Sequence, residues 1–191
     1  MTDTSAPTAP AEVFAQALGD EFGAMPPQLQ DLHTVRGITV WTGRASVTRG
    51  SRLVSKIVAL VFGFPTASPD VPVHLTMQPV DGVEHWQRTF AGNKFRSRLS
   101  RNASQPHGHI YEQFGLFKFE IALAWKDDRL SYPVEAGRCL GIPFPKPLLP
   151  HSHSFEYVDD QGRACFDVTL SVPLGGLVVR YEGWLVAENA H

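Results

Sequence analysis

The sequence predicts an α+β protein in which a large, strongly curved antiparallel sheet, or open β-barrel, wraps around a helix and follows N-terminal helices. Three observations support this fold class. From Val71 onward, apolar and polar residues alternate in many consecutive segments. Short turns containing glycine, aspartate or asparagine separate these segments. A nearly continuous apolar run at residues 53–62 precedes them and has the length of a helix.

The first part of the chain is predicted to be helical. Residues 1–9 are small, polar and proline-containing, which indicates a disordered tail before a single domain at 10–191. A helix is expected to start near Thr8 and Pro10, because apolar residues then recur at helical spacing. A second short helix is expected after residues 26–27, ending near His33.

The run at residues 53–62 is predicted to be a helix buried against the sheet, because it is apolar on nearly all sides. A helix lying on a membrane surface is the alternative. Before this run, residues 38–49 indicate either a strand pair or one strand bent at Gly43.

About eight to ten strands are expected in total. At Gly115 the apolar residues change parity, which predicts a β-bulge. Residues 141–150 contain four prolines, so this segment is predicted to be a crossing loop or an edge strand. The last two strands are predicted on either side of Gly175 and Gly176.

Composition excludes several classes of function. The 17 Lys and Arg residues against 19 Asp and Glu residues argue against a nucleic-acid-binding protein. The two cysteines, Cys139 and Cys165, form no disulfide framework, and no signal peptide or bilayer-spanning segment is recognisable. We therefore expect a cytoplasmic protein without an integral membrane segment. No cofactor is expected, since no glycine-rich nucleotide loop is present.

Charged residues interrupt the apolar faces of three predicted strands. Arg49 follows Ala45 and Val47, Arg88 lies between Trp86 and Phe90, and Glu112 lies between Ile110 and Phe114. Residues two apart on a strand share a face, so these three side chains are expected to point inward. A buried charge needs a partner. The three residues therefore form either an internal Arg–Glu network or the polar part of a ligand cavity.

Two histidine pairs are the alternative candidates for a metal site. His107 and His109 precede Glu112, and His151 and His153 precede Glu156, at the same spacing. On a regular strand, however, each glutamate would lie on the face opposite its histidines, so no metal site is expected. His107 and His109 are predicted to lie in an exposed loop. His151 and His153 share the parity of Phe155 and Tyr157 and are predicted to face the cavity.

Several short motifs occur together in this chain. They are V-T-R-G at 47–50, G-F-P at 63–65, E-x-W-x-R-x-F at 84–90, E-x-F-G at 112–115, L-G-I-P-F-P at 140–145 and R-Y-E-G at 180–183. As an ordered set, they resemble the bacterial domain-of-unknown-function family 4166 over about residues 11–187. Members of that family occur alone or attached to dehydrogenase-like modules, and this chain is expected to be a stand-alone member without such a module. The resemblance implies a single domain and no known activity.

The leading hypothesis is a domain that binds a lipid-like or polyketide-like molecule in a mostly apolar cavity. Its expected ligand-binding residues are Arg49, Trp86, Arg88, Phe90, Phe95, Glu112, Phe117 and Tyr181. One alternative is a cofactor-independent isomerase or cyclase, with Glu112 as acid and base and Arg88 stabilising negative charge. A second alternative is an interaction module for a partner reductase. Self-association as a homodimer is also considered.

Overall fold

One antiparallel sheet of thirteen strands dominates the computed structural model, which describes residues 12–188. The predicted large antiparallel sheet is confirmed, and it has more strands than expected. In chain order the strands are β1 Thr39–Arg49, β2 Ser68–Val80, β3 Val83–Phe90, β4 Asn93–Ser100, β5 His109–Phe114, β6 Phe117–Ala122, β7 Ala124–Lys126, β8 Arg129–Ser131, β9 Val134–Cys139, β10 Ile142–Pro143, β11 His151–Val158, β12 Ala164–Val172 and β13 Gly176–Ala187.

The spatial order of the strands is β10-β9-β6-β5-β4-β3-β2-β1-β13-β12-β11-β8-β7. Among the described residues the sheet does not close, and the short strands β10 and β7 form its edges. β1 is one continuous strand that pairs with β13 from Trp41 opposite Ala187 to Arg49 opposite Val179. The first and last strands therefore lie side by side in the middle of the sheet.

Two glycines allow β1 and β13 to approach closely. A Cβ atom on Gly43 would lie 1.8 Å from the carbonyl oxygen of Trp184, and one on Gly183 would lie 2.1 Å from that of Arg44. Any larger residue would push the two strands apart, so only glycine fits at either position.

Because neighbouring strands run in opposite directions, their connections fall at two ends of the sheet. The base end carries the turn at residues 81–82 and the loops at 101–108 and 159–163. The mouth end carries the connections at 50–67, 91–92, 115–116, 140–150 and 173–175.

Three short helices lie at the base end, namely α1 Val13–Leu18, α2 Asp20–Ala24 and α3 Pro27–His33. The amide of Gly108 donates to the carbonyl of Ala17 at 2.8 Å, which fixes α1 against the loop before β5. Gly19, with φ of 53°, separates α1 from α2. The predicted helix start at Thr8 and Pro10 and the predicted tail at 1–9 lie outside the described residues.

The apolar run at 53–62 forms helix α4 Leu53–Val61, as predicted, but its predicted burial is wrong. Only Ser55 and Ala59 are buried, whereas Leu53 is 73% and Leu60 81% exposed. The reason is that α4 lies at the mouth end and contacts the protein through one narrow face. There the hydroxyl of Ser55 donates to the carbonyl of Gly175 at 2.6 Å.

The predicted β-bulge at Gly115 is wrong. Phe114 pairs directly with Phe117, so residues 115–116 form a two-residue hairpin turn between β5 and β6, with Gly115 at φ of 55°. The reversal of the chain at this turn, rather than an extra residue in a strand, shifts the alternation of apolar and polar residues by one position. Residues 140–150 combine the two predicted alternatives, since they include the edge strand β10 and then cross the mouth end to β11 through a short 3-10 turn at Lys146–Leu148.

Candidate functional site

A cavity of about 410 Å³ lies on the inner face of the sheet. It is lined by side chains of β2 to β6, β9 and β11 to β13, which lie on both sides of the central β1–β13 pair. Aromatic and aliphatic groups make up most of its wall. Of the predicted ligand-binding residues, six line this cavity: Trp86, Arg88, Phe90, Glu112, Phe117 and Tyr181.

The other two predicted residues, Arg49 and Phe95, do not line the cavity. Arg49 is the last residue of β1 and donates from Nη1 to the carbonyls of Phe64 and Pro65, at 2.8 and 2.7 Å. It therefore holds the segment that leads from α4 into β2. Phe95 is buried behind the wall, where its ring lies 5.9 Å from that of Phe90.

Arg88 and Glu112 form an ion pair that faces the cavity. Nη2 of Arg88 lies 3.3 Å from Oε1 of Glu112, and Nη1 donates to the hydroxyl of Ser97 at 2.8 Å. The guanidinium also lies 4.8 Å from the centre of the Trp86 ring, within range of a cation–π interaction. The positive charge of Arg88 is thus balanced by the Glu112 carboxylate and further stabilised by the face of the Trp86 ring, without a ligand.

A second polar cluster, formed by His33, Tyr132 and Glu156, lies at the base end of the cavity. Nε2 of His33 is 2.5 Å from Oε2 of Glu156 and 3.2 Å from the hydroxyl of Tyr132. The His33 ring is fully buried and stacks on Phe14 at 3.8 Å. Burial, together with the nearby Glu156 carboxylate, raises the pKa of Tyr132 well above its ordinary value.

Glu84 is a fully buried carboxyl group behind the Trp86 ring. Its Oε1 accepts from the amide of Val13 at 3.0 Å, and its Oε2 accepts from Nε1 of Trp86 at 2.9 Å. Burial raises the pKa of Glu84 to about 7, although both hydrogen bonds favour the charged form. Glu84 thus ties α1 to β3 and titrates near neutral pH.

A family model described as Domain of unknown function (DUF4166) matches residues 25–185. The chain belongs to the DUF4166 family. The matched range begins just before α3 and includes strands β1 to β12, most of β13 and nearly the whole wall of the cavity. No curated protein matches the chain.

The histidine pairs of this DUF4166 domain do not converge. His107 bonds the carbonyl of Leu18 at 3.0 Å through Nε2, and His109 contacts Glu135 at 2.9 Å, which raises the pKa of His109. His151 and His153 are exposed, so the prediction that they face the cavity is wrong. The residues of β11 that line the cavity are Ser152, Ser154, Phe155 and Glu156. Within residues 12–188, no group of three or more His, Cys, Asp or Glu residues could hold a metal ion.

A second depression of about 520 Å³ lies beside β2, β3 and β4. It is more open than the first cavity and is lined mostly by polar side chains, among them Gln87, Arg96 and Arg98. Nε of Arg96 donates to Gln87 at 2.7 Å, so part of this polar lining is already internally bonded. Its character therefore differs from that of the predicted apolar site.

Three polar residues of the base end, Glu84, Glu156 and His33, were not predicted to belong to the site. Glu84 lies on the same strand face as Trp86 and Arg88, so strict alternation along β3 was a sufficient signal. Glu156 lies two residues after Ser154, so both side chains share one face of β11. The sequence did not show that this face points inward. For His33 the sequence offers no signal, because its partners lie about a hundred residues away.

None of the helices of the DUF4166 domain described between residues 12 and 188 combines the length and the apolar character needed to cross a membrane.

Proposed function

We propose that this DUF4166 domain binds a small, largely apolar molecule inside a strongly curved sheet that forms an open barrel and wraps towards α4. The cavity of about 410 Å³ supports this proposal, because ligand pockets typically measure about 300–1,000 Å³ and are mostly apolar. A sheet whose strands lie around one such space can enclose a ligand. The expected location remains the cytoplasm, in keeping with two free cysteines.

The wall indicates the chemistry of the ligand. Most of it is aromatic or aliphatic, which suits the hydrocarbon part of a lipid-like or polyketide-like molecule. Its polar groups are Arg88, Glu112, Tyr132, Glu156 and Tyr181, together with two serines. Because Arg88 already pairs with Glu112, and Glu156 adds a further carboxylate, a hydroxyl or carbonyl group fits this polar part better than an anionic group.

The ligand would enter at the mouth end. Three lining residues, Ile57, Val61 and Leu148, are 53%, 61% and 55% exposed, and all belong to mouth-end connections. At the opposite end, Phe14 and Tyr132 close the cavity. The apolar part of the ligand would lie near α4. Its polar end would reach the Arg88–Glu112 ion pair and the polar cluster at the base end.

The test is binding of a fluorescent fatty-alcohol probe, with one variant that fills the cavity and one that does not. Val168 lines the cavity, whereas its neighbour Thr169 lies on the other face of β12. We expect Val168→Trp to abolish probe binding and Thr169→Trp to keep it, with both variants folded by circular dichroism. Probe binding by folded Val168→Trp at wild-type affinity would show that the cavity is not the binding site.

A second candidate function is a cofactor-independent isomerase or cyclase, favoured by the two carboxylates that face an apolar cavity. Glu112 would take a proton from a carbon atom and return it to another, and Arg88 would stabilise the negative charge that develops between the two steps. Nothing beyond the substrate is consumed in such an isomerisation.

This second function is tested on the molecule that co-purifies with the protein. It is incubated with the protein in deuterated water and analysed by mass spectrometry. Incorporation of deuterium that disappears in Glu112→Gln would support proton transfer by Glu112. Equal incorporation in Glu112→Gln, or none in wild type, would leave binding alone as the function.

A further inference from the structure

The mouth end carries an exposed apolar surface, and most of its residues do not line the cavity. We call it the apolar rim, and it consists of Leu53, Val54, Ile57, Leu60 and Val61 of α4 together with Leu116, Leu140, Ile142, Leu148 and Leu174. Its members reach 81% exposure at Leu60 and 86% at Leu174. Among residues 12–188, the remaining large apolar residues that are exposed are Ile38, Val80 and Val186. Exposed apolar residues are thus concentrated at one end of the molecule.

The segments of the apolar rim are joined to one another. The hydroxyl of Ser55 binds α4 to the turn that carries Leu174. The amide of Leu140 donates to the carbonyl of Leu116 at 3.1 Å. The ring of Phe62, which follows α4, lies 4.9 Å from that of Phe117. These contacts make the rim one continuous surface around the opening of the cavity.

Charge at the mouth end is of one sign. The mouth-end connections at 50–67, 91–92, 115–116, 140–150 and 173–175 contain no Asp or Glu. They carry the exposed residues Arg52, Lys56 and Lys146, and Lys94 and Arg138 are exposed on the adjoining ends of β4 and β9. The nearest carboxylate on β2, Asp70, is paired with Arg44. At the base end the connections carry charges of both signs, including Asp81, Asp127, Asp128, Asp159 and Asp160 together with Arg101 and Arg163.

Helix α4 leaves part of its apolar surface uncovered. Ser55 and Ala59 are buried, and Ile57, Val58 and Val61 line the cavity. Leu53, Val54 and Leu60 are exposed beside Arg52 and Lys56. A helix with outward apolar residues and flanking basic residues suits the boundary between lipid headgroups and acyl chains. Protruding leucines on separate connections match a fluid surface better than the fixed groove of one partner protein.

We propose that the apolar rim docks on a bilayer that contains anionic phospholipids, with α4 lying in the plane of the interface. The leucines would enter the acyl boundary, and the basic residues would contact the headgroups. This interaction goes beyond ligand binding and does not require it. Where both hold, docking places the cavity opening against the bilayer, so that a lipid-like molecule passes between the two without crossing water.

The test is flotation of the purified full chain with vesicles of phosphatidylcholine alone and of phosphatidylcholine mixed with phosphatidylglycerol. We expect binding to the anionic vesicles that weakens at high salt. The double variant Leu60→Ser, Leu174→Ser should lose at least tenfold in binding. The matched control Ile38→Ser, Val186→Ser removes two exposed apolar residues outside the rim and should bind like wild type. Arg52→Ser, Lys56→Ser should lose the preference for anionic vesicles.

Three results would overturn this proposal. They are absence of vesicle binding by wild type, equal loss in both apolar double variants, and a stable dimer in light scattering that Leu60→Ser dissociates. The last result would assign the rim to a second copy of the chain. Absence of vesicle binding together with binding of a reductase would assign it to that partner. Flotation of Val168→Trp is measured separately, so failure of the cavity and failure of the docking surface are distinguished.

Discussion

Nε2 of His33 and Oε2 of Glu156 lie 2.5 Å apart, although 123 residues separate them in the chain. The contact joins the end of α3 to the middle of β11 and lies where the helices meet the interior of the sheet. The His33 side chain has no exposed surface, whereas the Glu156 side chain is 14% exposed and lines the cavity. One contact therefore stabilises the base of the cavity and positions a polar group inside it.

Replacing His33 by Ala should lower the free energy of unfolding by about 3 kcal/mol, because it leaves the Glu156 carboxylate without its partner and removes a ring stacked on Phe14. Urea unfolding measures the change. The matched control is His85→Ala, whose side chain is exposed on β3, and it should change stability by less than about 0.5 kcal/mol. Similar losses in the two variants would contradict a special role of the His33–Glu156 contact.

The buried Glu84 should make stability depend on pH between about 4.5 and 7. Its pKa rises from an ordinary value of 4.5 in the unfolded chain to about 7 in the folded protein. The folded protein thus holds a proton that the unfolded chain releases, so stability falls as the pH rises through this window. Since each pKa unit corresponds to about 1.4 kcal/mol, the loss amounts to roughly 3 kcal/mol.

Thermal unfolding of wild type and Glu84→Gln across this pH range checks the prediction. The glutamine does not titrate, so the decline assigned to Glu84 should be absent from the variant. Other groups that titrate in this range contribute equally to both proteins and cancel in the difference. An unchanged pH slope in Glu84→Gln would mean that the decline has another origin.

The Arg88–Glu112 pair should behave as a coupled unit. Arg88→Met leaves the Glu112 carboxylate facing an apolar cavity, and we expect a loss of about 2 kcal/mol. In the double variant Arg88→Met, Glu112→Gln, the loss should be smaller than the two single losses added together, by about 1 kcal/mol. Arg96→Met, which breaks the exposed contact with Gln87, is the control and should have little effect. Additive losses at Arg88 and Glu112 would show that the two residues act independently.

Gly43→Ala should destabilise the protein by more than about 3 kcal/mol, because the new Cβ atom would lie 1.8 Å from the Trp184 carbonyl oxygen and force β1 away from β13. Gly23→Ala is the matched control. Gly23 lies in α2 with no atom within 4 Å of the added Cβ, so alanine there should stabilise by about 0.5–1 kcal/mol. Denaturant midpoints of the two variants that shift in the same direction would contradict this difference.

The sequence predicts the parts of the fold that obey local rules. Alternation identified the inner faces of β3 and β5, and hence Trp86, Arg88 and Glu112 of the cavity wall. Helix α4 was recognisable from its composition, but its burial was not. Apolar content shows that a helix has no polar face, and only the tertiary structure shows whether another element covers it.

Errors in the site have similar causes. Arg49 has inward parity, yet it is the last residue of β1, where the wall has already ended and backbone carbonyls are within reach. His151 and His153 were assigned to the wrong face because the aromatic Phe155 was taken to mark the interior. The His33–Glu156 contact joins residues that no local pattern relates, so it could not be predicted from one sequence.

The pairing of β1 with β13 in the middle of the sheet has a consequence for synthesis of the chain. Strands β1 to β6 emerge from the ribosome in the order in which they pair, and they can form a sheet as they appear. The other edge of β1, however, stays unpaired until residues 176–187, which form the last strand in chain order, have been synthesised. Throughout that interval an eleven-residue strand presents unpaired backbone groups, which are a template for association with another nascent chain. We therefore expect that a factor covering β1 until the final strand is made would reduce such association.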